Sequence, residues 1–246
     1  MQDIAGQQAT PRVIARHRLS TRLWHWVNLA TATVMLMSGL MISNAHPRLY
    51  WGHFGANPDK AWLELPEFPG WMTLPSTYNL ADARLWHLAF AWLFGLATAA
   101  YLGWSLVNGH LWRDLRPRLA ELSPCNLWHD IASHARLRLP RGEAAARYNV
   151  LQKLAYCLVL LVLLPLLVLT GLAMSPAIGA ALHGLPDLFG GRQSARSVHF
   201  LCAAGLVLFV IVHLAMVLLA GPVNGVRAMI TGRFALPPAR KEAHDG

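Results

Sequence analysis

The chain has 246 residues, is 55% hydrophobic and only 13% charged, and carries a formal charge of +9. A soluble domain of this size holds about 25% charged residues, so the composition argues against one. The basic residues are scattered over segments between long apolar runs and form no single stripe. That pattern argues against a nucleic-acid surface and reads as a set of topology determinants.

In chain order, residues 1–22 read as a polar tail with Arg12, Arg16, Arg18 and Arg22, and Ser20 or Thr21 is placed to cap the helix that follows. A first span is predicted over 23–43, with His25 one turn in and Trp24 and Trp26 at headgroup depth. Its apolar run is longer than the about 7–15 residues of a signal-peptide core, so the span is expected to be retained. Residues 44–83 form a loop rich in Pro, Trp and acids. Two readings stand for it: segments lying flat on the membrane interface, or an ordinary ordered loop.

A second span is predicted over 85–107, with His87 near its start. Residues 108–149 are polar and hold seven arginines. A third span, 151–175, contains no histidine but has Pro165, which is expected to kink it. A short loop with Gly190 and Gly191 leads to a fourth span over 197–220, which carries His199 and His213. Residues 222–246 form the second tail. Cys125, Cys157 and Cys202 have no CxxC spacing, and the last two read as small apolar fillers. The expected fold is an all-α membrane protein, a four-transmembrane-helix bundle whose membrane domain runs over 23–221.

Arginine and lysine give the orientation. The two tails and the 108–149 segment hold 4, 4 and 7 of them, against 2 and 1 in the other two loops. Excess positive charge stays on the cytoplasmic side. Both termini are therefore expected inside, with 44–83 and 176–195 outside, in a bacterial inner membrane.

Depth then pairs the histidines. His199 and His213 are 14 residues apart, which is ~21 Å along a helix and roughly one face. His25 and His213 fall toward the cytoplasmic side, His87 and His199 toward the outer side. Two imidazoles at each of two depths suit two b haems held between spans one, two and four, each iron ligated from both faces. Zinc would want four ligands at one point. A proton-coupled transporter would normally place carboxylates inside its spans, and these four contain none. Gly39, Gly95, Gly171 and Gly205 have two readings, room for a macrocycle or close helix packing.

The segments RHRLSTRLWHW with His25, ARLWHLAFAW with His87, YNVLQKLAY opening span three, and ARSVHF followed by His213 resemble the bacterial b561-type dihaem cytochromes. The likeness is closest to the cytochrome b subunits of nickel–iron hydrogenases, formate dehydrogenases and thiosulfate reductases. It implies that His25, His87, His199 and His213 are axial ligands. It also implies electron transfer between a quinone pool, ubiquinone or menaquinone, and a redox partner subunit. No motif for a second redox cofactor is present in the chain, so a separate periplasmic enzyme, such as a hydrogenase or a molybdoenzyme, is the expected partner. The alternative is a stand-alone quinone-reducing oxidoreductase that takes electrons from superoxide.

Tyr148, Asn149 and Gln152, at the cytoplasmic mouth of span three, are candidate quinone contacts, with an ordinary helix start as the other reading. Arg16, Arg18 and Arg22 near His25, and Arg84 and Arg196 near the outer pair, are candidates to offset haem propionate charge. Positive-inside bias accounts for the first three equally well. His17, His46 and His110 read as ordinary polar residues outside the spans.

Overall fold

The computed structural model describes residues 12–56, 59–136 and 149–236. Four of its helices are long and apolar enough to cross a membrane: α1 (Leu19–Ala45), α2 (Leu80–Val107), α4 (Val150–Met174) and α7 (Arg192–Ala220). The shorter helices are α3 (Pro124–Ala135), α5 (Pro176–Ala181), α6 (Gly184–Leu188) and α8 (Pro222–Thr231). Helices α1, α2 and α7 extend a few residues past the predicted spans, while α4 matches its own closely. Asn79 shows how such an end is made. Its side chain accepts from Asp82 N at 3.1 Å and starts α2 with an acid in the first turn.

The four helices form a bundle in which α1 packs along α2 and α4 along α7. Phe94, Tyr101, Leu160, Leu164, Leu167 and Cys202 fill its centre. The outer surface of α7 is apolar and open, with Leu208, Ile211, Val212, Leu214 and Leu218 all exposed. A face of that size belongs against lipid. The chain is a multi-pass membrane protein.

Pro165 lacks an N–H and would press on the carbonyl one turn back. The helix accommodates it with a π-helical turn over Val159–Leu163, just before the proline.

The described residues of the segment after α1 carry two short strands. Strands β2 (Arg48–Leu49) and β3 (Leu63–Glu64) pair antiparallel, Arg48 opposite Glu64, with the two side chains 3.2 Å apart. The loop is fastened to the start of α7. Gly52 O accepts from Gln193 N (3.1 Å) and Ser194 N (3.2 Å), and Gly52 N donates to Ser194 Oγ (2.7 Å). Trp62 Nε1 donates to Ser197 Oγ at 2.9 Å, and Ser197 donates to Tyr50 O at 2.6 Å. A Cβ on Gly191 would stand 2.6 Å from the Gly52 carbonyl carbon, and its φ of 109° already favours glycine.

At the other end, the described parts of both tails carry secondary structure where the sequence predicts polar tails. Strand β1 (Val13–Ala15) pairs antiparallel with β4 (Arg233–Ala235), Ile14 opposite Phe234. This pairing holds the two ends of the described chain on one side of the bundle. The last carbonyls of α8 would otherwise lack donors. Trp26 Nε1 donates to Met229 O at 3.1 Å, and the Arg22 guanidinium donates to Met229 O and Ile230 O. Replacing Arg22 by Ala together with Trp26 by Phe removes these donors, at about 1 kcal/mol each. The expected result is faster tryptic cleavage at Arg227 and Arg233, followed by mass spectrometry, with the helical content of the bundle unchanged.

Candidate functional site

The four histidines of the spans fall into two groups. His87 of α2 and His199 of α7 face each other with ring centres 6.3 Å apart and planes at 63°. Two imidazoles on opposite sides of one metal ion, at roughly 2 Å per bond, stand about 6 Å apart centre to centre. The spacing therefore leaves room for one iron between them.

The back of each ring is seated the same way. His87 Nδ1 lies 3.1 Å from Ser38 Oγ and 3.1 Å from Met35 O, both on α1. His199 Nδ1 lies 2.9 Å from Thr170 Oγ1 on α4, and His199 also bonds the Leu167 backbone. The residue after each hydroxyl is glycine. A Cβ on Gly39 would stand 3.4 Å from His87 Cε1, and one on Gly171 would stand 3.6 Å from His199 Cε1. The other two candidate glycines face ordinary packing: Gly95 meets Val168 and Gly205 meets Leu163. The sequence reading had not singled out Ser38 or Thr170. The Ser-Gly and Thr-Gly pairs are the only local signal for them, and it is a weak one.

Toward the other end of the bundle stand His25 of α1 and His213 of α7. The His213 ring stacks on Phe209 at 5.7 Å, and His25 meets Trp26 edge-on at 5.1 Å. Trp24 stacks on Tyr101 at 4.3 Å. His25 Nδ1, Trp24 Nε1 and Arg16 Nε are buried with no hydrogen-bond partner among the described residues. Buried polar atoms of this kind suit a polar group seated between the helices.

His17 belongs to this region too, although it reads as an ordinary polar residue in the sequence. Burial, and then the charges of Arg16, His25, Arg22 and His110, push its imidazole down to about 4. It is thus held neutral at physiological pH beside a basic cluster. On the opposite side, burial, then Arg196 and Arg84, lower the His46 imidazole.

A family description, prokaryotic cytochrome b561, matches residues 16–232. The chain belongs to this family. Membership of the b561 family brings haem b binding and electron transport with it. The chain is also similar to a protein of Azospira oryzae named as a putative protein-methionine-sulfoxide reductase subunit, YedZ1. The two are 30% identical over 207 residues, which cover 84% of this chain and 92% of the relative.

The remaining candidate residues sit as follows. Arg22 is bonded to the α8 carbonyls, Arg196 donates to His46 O, and Arg84 is exposed. A guanidinium has five N–H donors, so these bonds leave others free to meet an anion. Asn149 Oδ1 accepts from Gln152 N at 2.8 Å and Gln152 Oε1 accepts from Asn149 N at 3.3 Å, a reciprocal cap that starts α4. Tyr148 lies outside the described residues.

Two outcomes check this geometry. Gly171→Ala places its methyl at ordinary contact and is expected to be tolerated. Gly171→Val overpacks the seat of His199, with a cost of about 1–3 kcal/mol read in the melting temperature and a lower haem content. The second outcome concerns His17. Its folded pKa is below the unfolded value of about 6.5, so its contribution to stability is complete above that pH and is lost as pH falls through about 4. His17→Gln is therefore expected to show a shallower loss of thermal stability than the parent between pH 7 and 4.

Proposed function

We propose that this b561 family member is a dihaem electron-transfer subunit linking the quinone pool to a redox enzyme on the outer side of the inner membrane. In this reading His87 and His199 hold the outer haem b, and His25 and His213 the cytoplasmic-side one. Haem b, when bound, supplies a one-electron iron couple. The observation that carries the reading is the facing of His87 and His199 at 6.3 Å, with His25 of α1 and His213 of α7 toward the opposite end of the bundle.

The orientation, with both ends of the chain in the cytoplasm, rests on the arginine distribution. Arg16 and Arg22 stand by the inner pair and Arg84 and Arg196 by the outer end, where their charges would offset haem propionates. Quinone is assigned to the cytoplasmic mouth of α4, near Tyr148, Asn149 and Gln152. Asn149 and Gln152 close the helix cap at that mouth, which holds both side chains at the start of α4. The Azospira oryzae relative makes a protein-methionine-sulfoxide reductase the first partner to test.

Purified protein is expected to contain two low-spin haems per chain. His87→Ala and His213→Ala should each lose one haem, and different ones. A single haem in the parent protein, or two in either variant, would overturn the assignment. Asn149→Ala should lower quinol turnover, and unchanged turnover and inhibitor binding would remove that quinone site. Co-purification of a second redox subunit separates this reading from a stand-alone oxidoreductase.

A further inference from the structure

Ser38 and Thr170 are fully buried, each at 0% exposure. Buried hydroxyls in spanning helices ordinarily bond a carbonyl one turn back, as Thr31 does with Val27 O (2.9 Å) and Asn28 O (3.2 Å). Ser38 and Thr170 do this too. Ser38 donates to Val34 O (2.7 Å) and Met35 O (3.2 Å), and Thr170 to Leu166 O (2.5 Å) and Leu167 O (3.3 Å). Each hydroxyl hydrogen is thereby committed to its own helix. What remains toward the histidine is an oxygen lone pair, at 3.1 Å from His87 Nδ1 and 2.9 Å from His199 Nδ1. Only a ring that carries its proton on Nδ1 makes a favourable contact there.

The two seats repeat one plan. A hydroxyl, the carbonyl three residues before it, and the glycine one residue after it surround each ring, on α1 for His87 and on α4 for His199.

We infer that Ser38 and Thr170 are paired positioning residues: they fix both outer histidines in the Nδ1–H form, present Nε2 as the ligand, and lower the reduction potential of the outer haem. The inference rests on the assignment of His87 and His199 as that haem's ligands. An Nδ1–H that donates to an acceptor makes the ring a stronger electron donor at Nε2, which favours the oxidised iron. The hydroxyls act through the rings and do not touch the cofactor's iron. They also explain why α4, which has no histidine, is part of the site: it holds the ring of α7 as α1 holds the ring of α2.

The test uses the purified holoprotein with Ser38→Ala, Thr170→Val, Thr170→Ser and the Ser38→Ala/Thr170→Val double variant. Haem is counted per chain, low-spin g-values are read by electron paramagnetic resonance, and potentials are read by optical redox titration. His87→Ala marks the inner component by removing the outer one. The expected result is an upward shift of the outer potential and altered outer g-values in Ser38→Ala and Thr170→Val. The shift is larger in the double variant, with about tenfold faster loss of the outer haem. The inner potential stays in place, and Thr170→Ser returns to the parent behaviour. Retention of both haems with unchanged potentials and g-values overturns the inference, as does a Thr170→Ser variant that behaves like Thr170→Val. Two haems in both His87→Ala and His199→Ala would instead overturn the ligand assignment beneath it.

Discussion

An imidazole inside an apolar bundle must have both of its nitrogens accounted for, because no water stands by to serve them. At the His87–His199 end of this bundle that demand is met from one side by a hydroxyl and a carbonyl of a neighbouring helix. The other side of each ring is turned toward its counterpart, at a spacing that suits one iron. The glycines fit the same demand, since a side chain larger than a methyl at Gly39 or Gly171 would crowd the ring. Helix pairing follows as well, with α1 against α2 and α4 against α7.

The helix that carries both His199 and His213 is secured at each end. At its start, Gly52 and Trp62 of the loop that follows α1 hydrogen-bond to Gln193, Ser194 and Ser197. On the opposite side, α7 runs through Gly221 into α8, whose final carbonyls are held by Arg22 and Trp26 at the start of α1. The pairing of β1 with β4 closes the same end. These contacts set the depth of α7 relative to α1 and α2, and so which histidines share a level. A slip of one helical turn, about 5.4 Å, would separate both pairs together.

Much of this was legible from residue type and spacing. Long apolar runs marked the four helices, and the 14-residue step from His199 to His213 placed one ring near each end of its helix. Pro165 marked an irregularity, and the structure resolves it as a π-helical turn. Less was legible at the helix ends. Residues 222–231 looked like a polar tail because a ten-residue stretch is too short to mark a helix by itself, and its partners at Arg22 and Trp26 are some 200 residues away. His17 looked solvated because it sits in a basic stretch before α1, and its burial comes only with folding.

The sequence by itself determined the number of membrane-length helices and the level of each histidine along its own helix, since both depend only on composition and rise per residue. Only the tertiary structure decided that Ser38 backs His87, 49 residues on, and that Thr170 backs His199, 29 residues on. It alone separated Gly39 and Gly171, which face rings, from Gly95 and Gly205, which face aliphatic side chains. Contacts between helices depend on how each is rotated and set against its neighbour. That rotation is the joint result of all the packing, and no single stretch of chain encodes it.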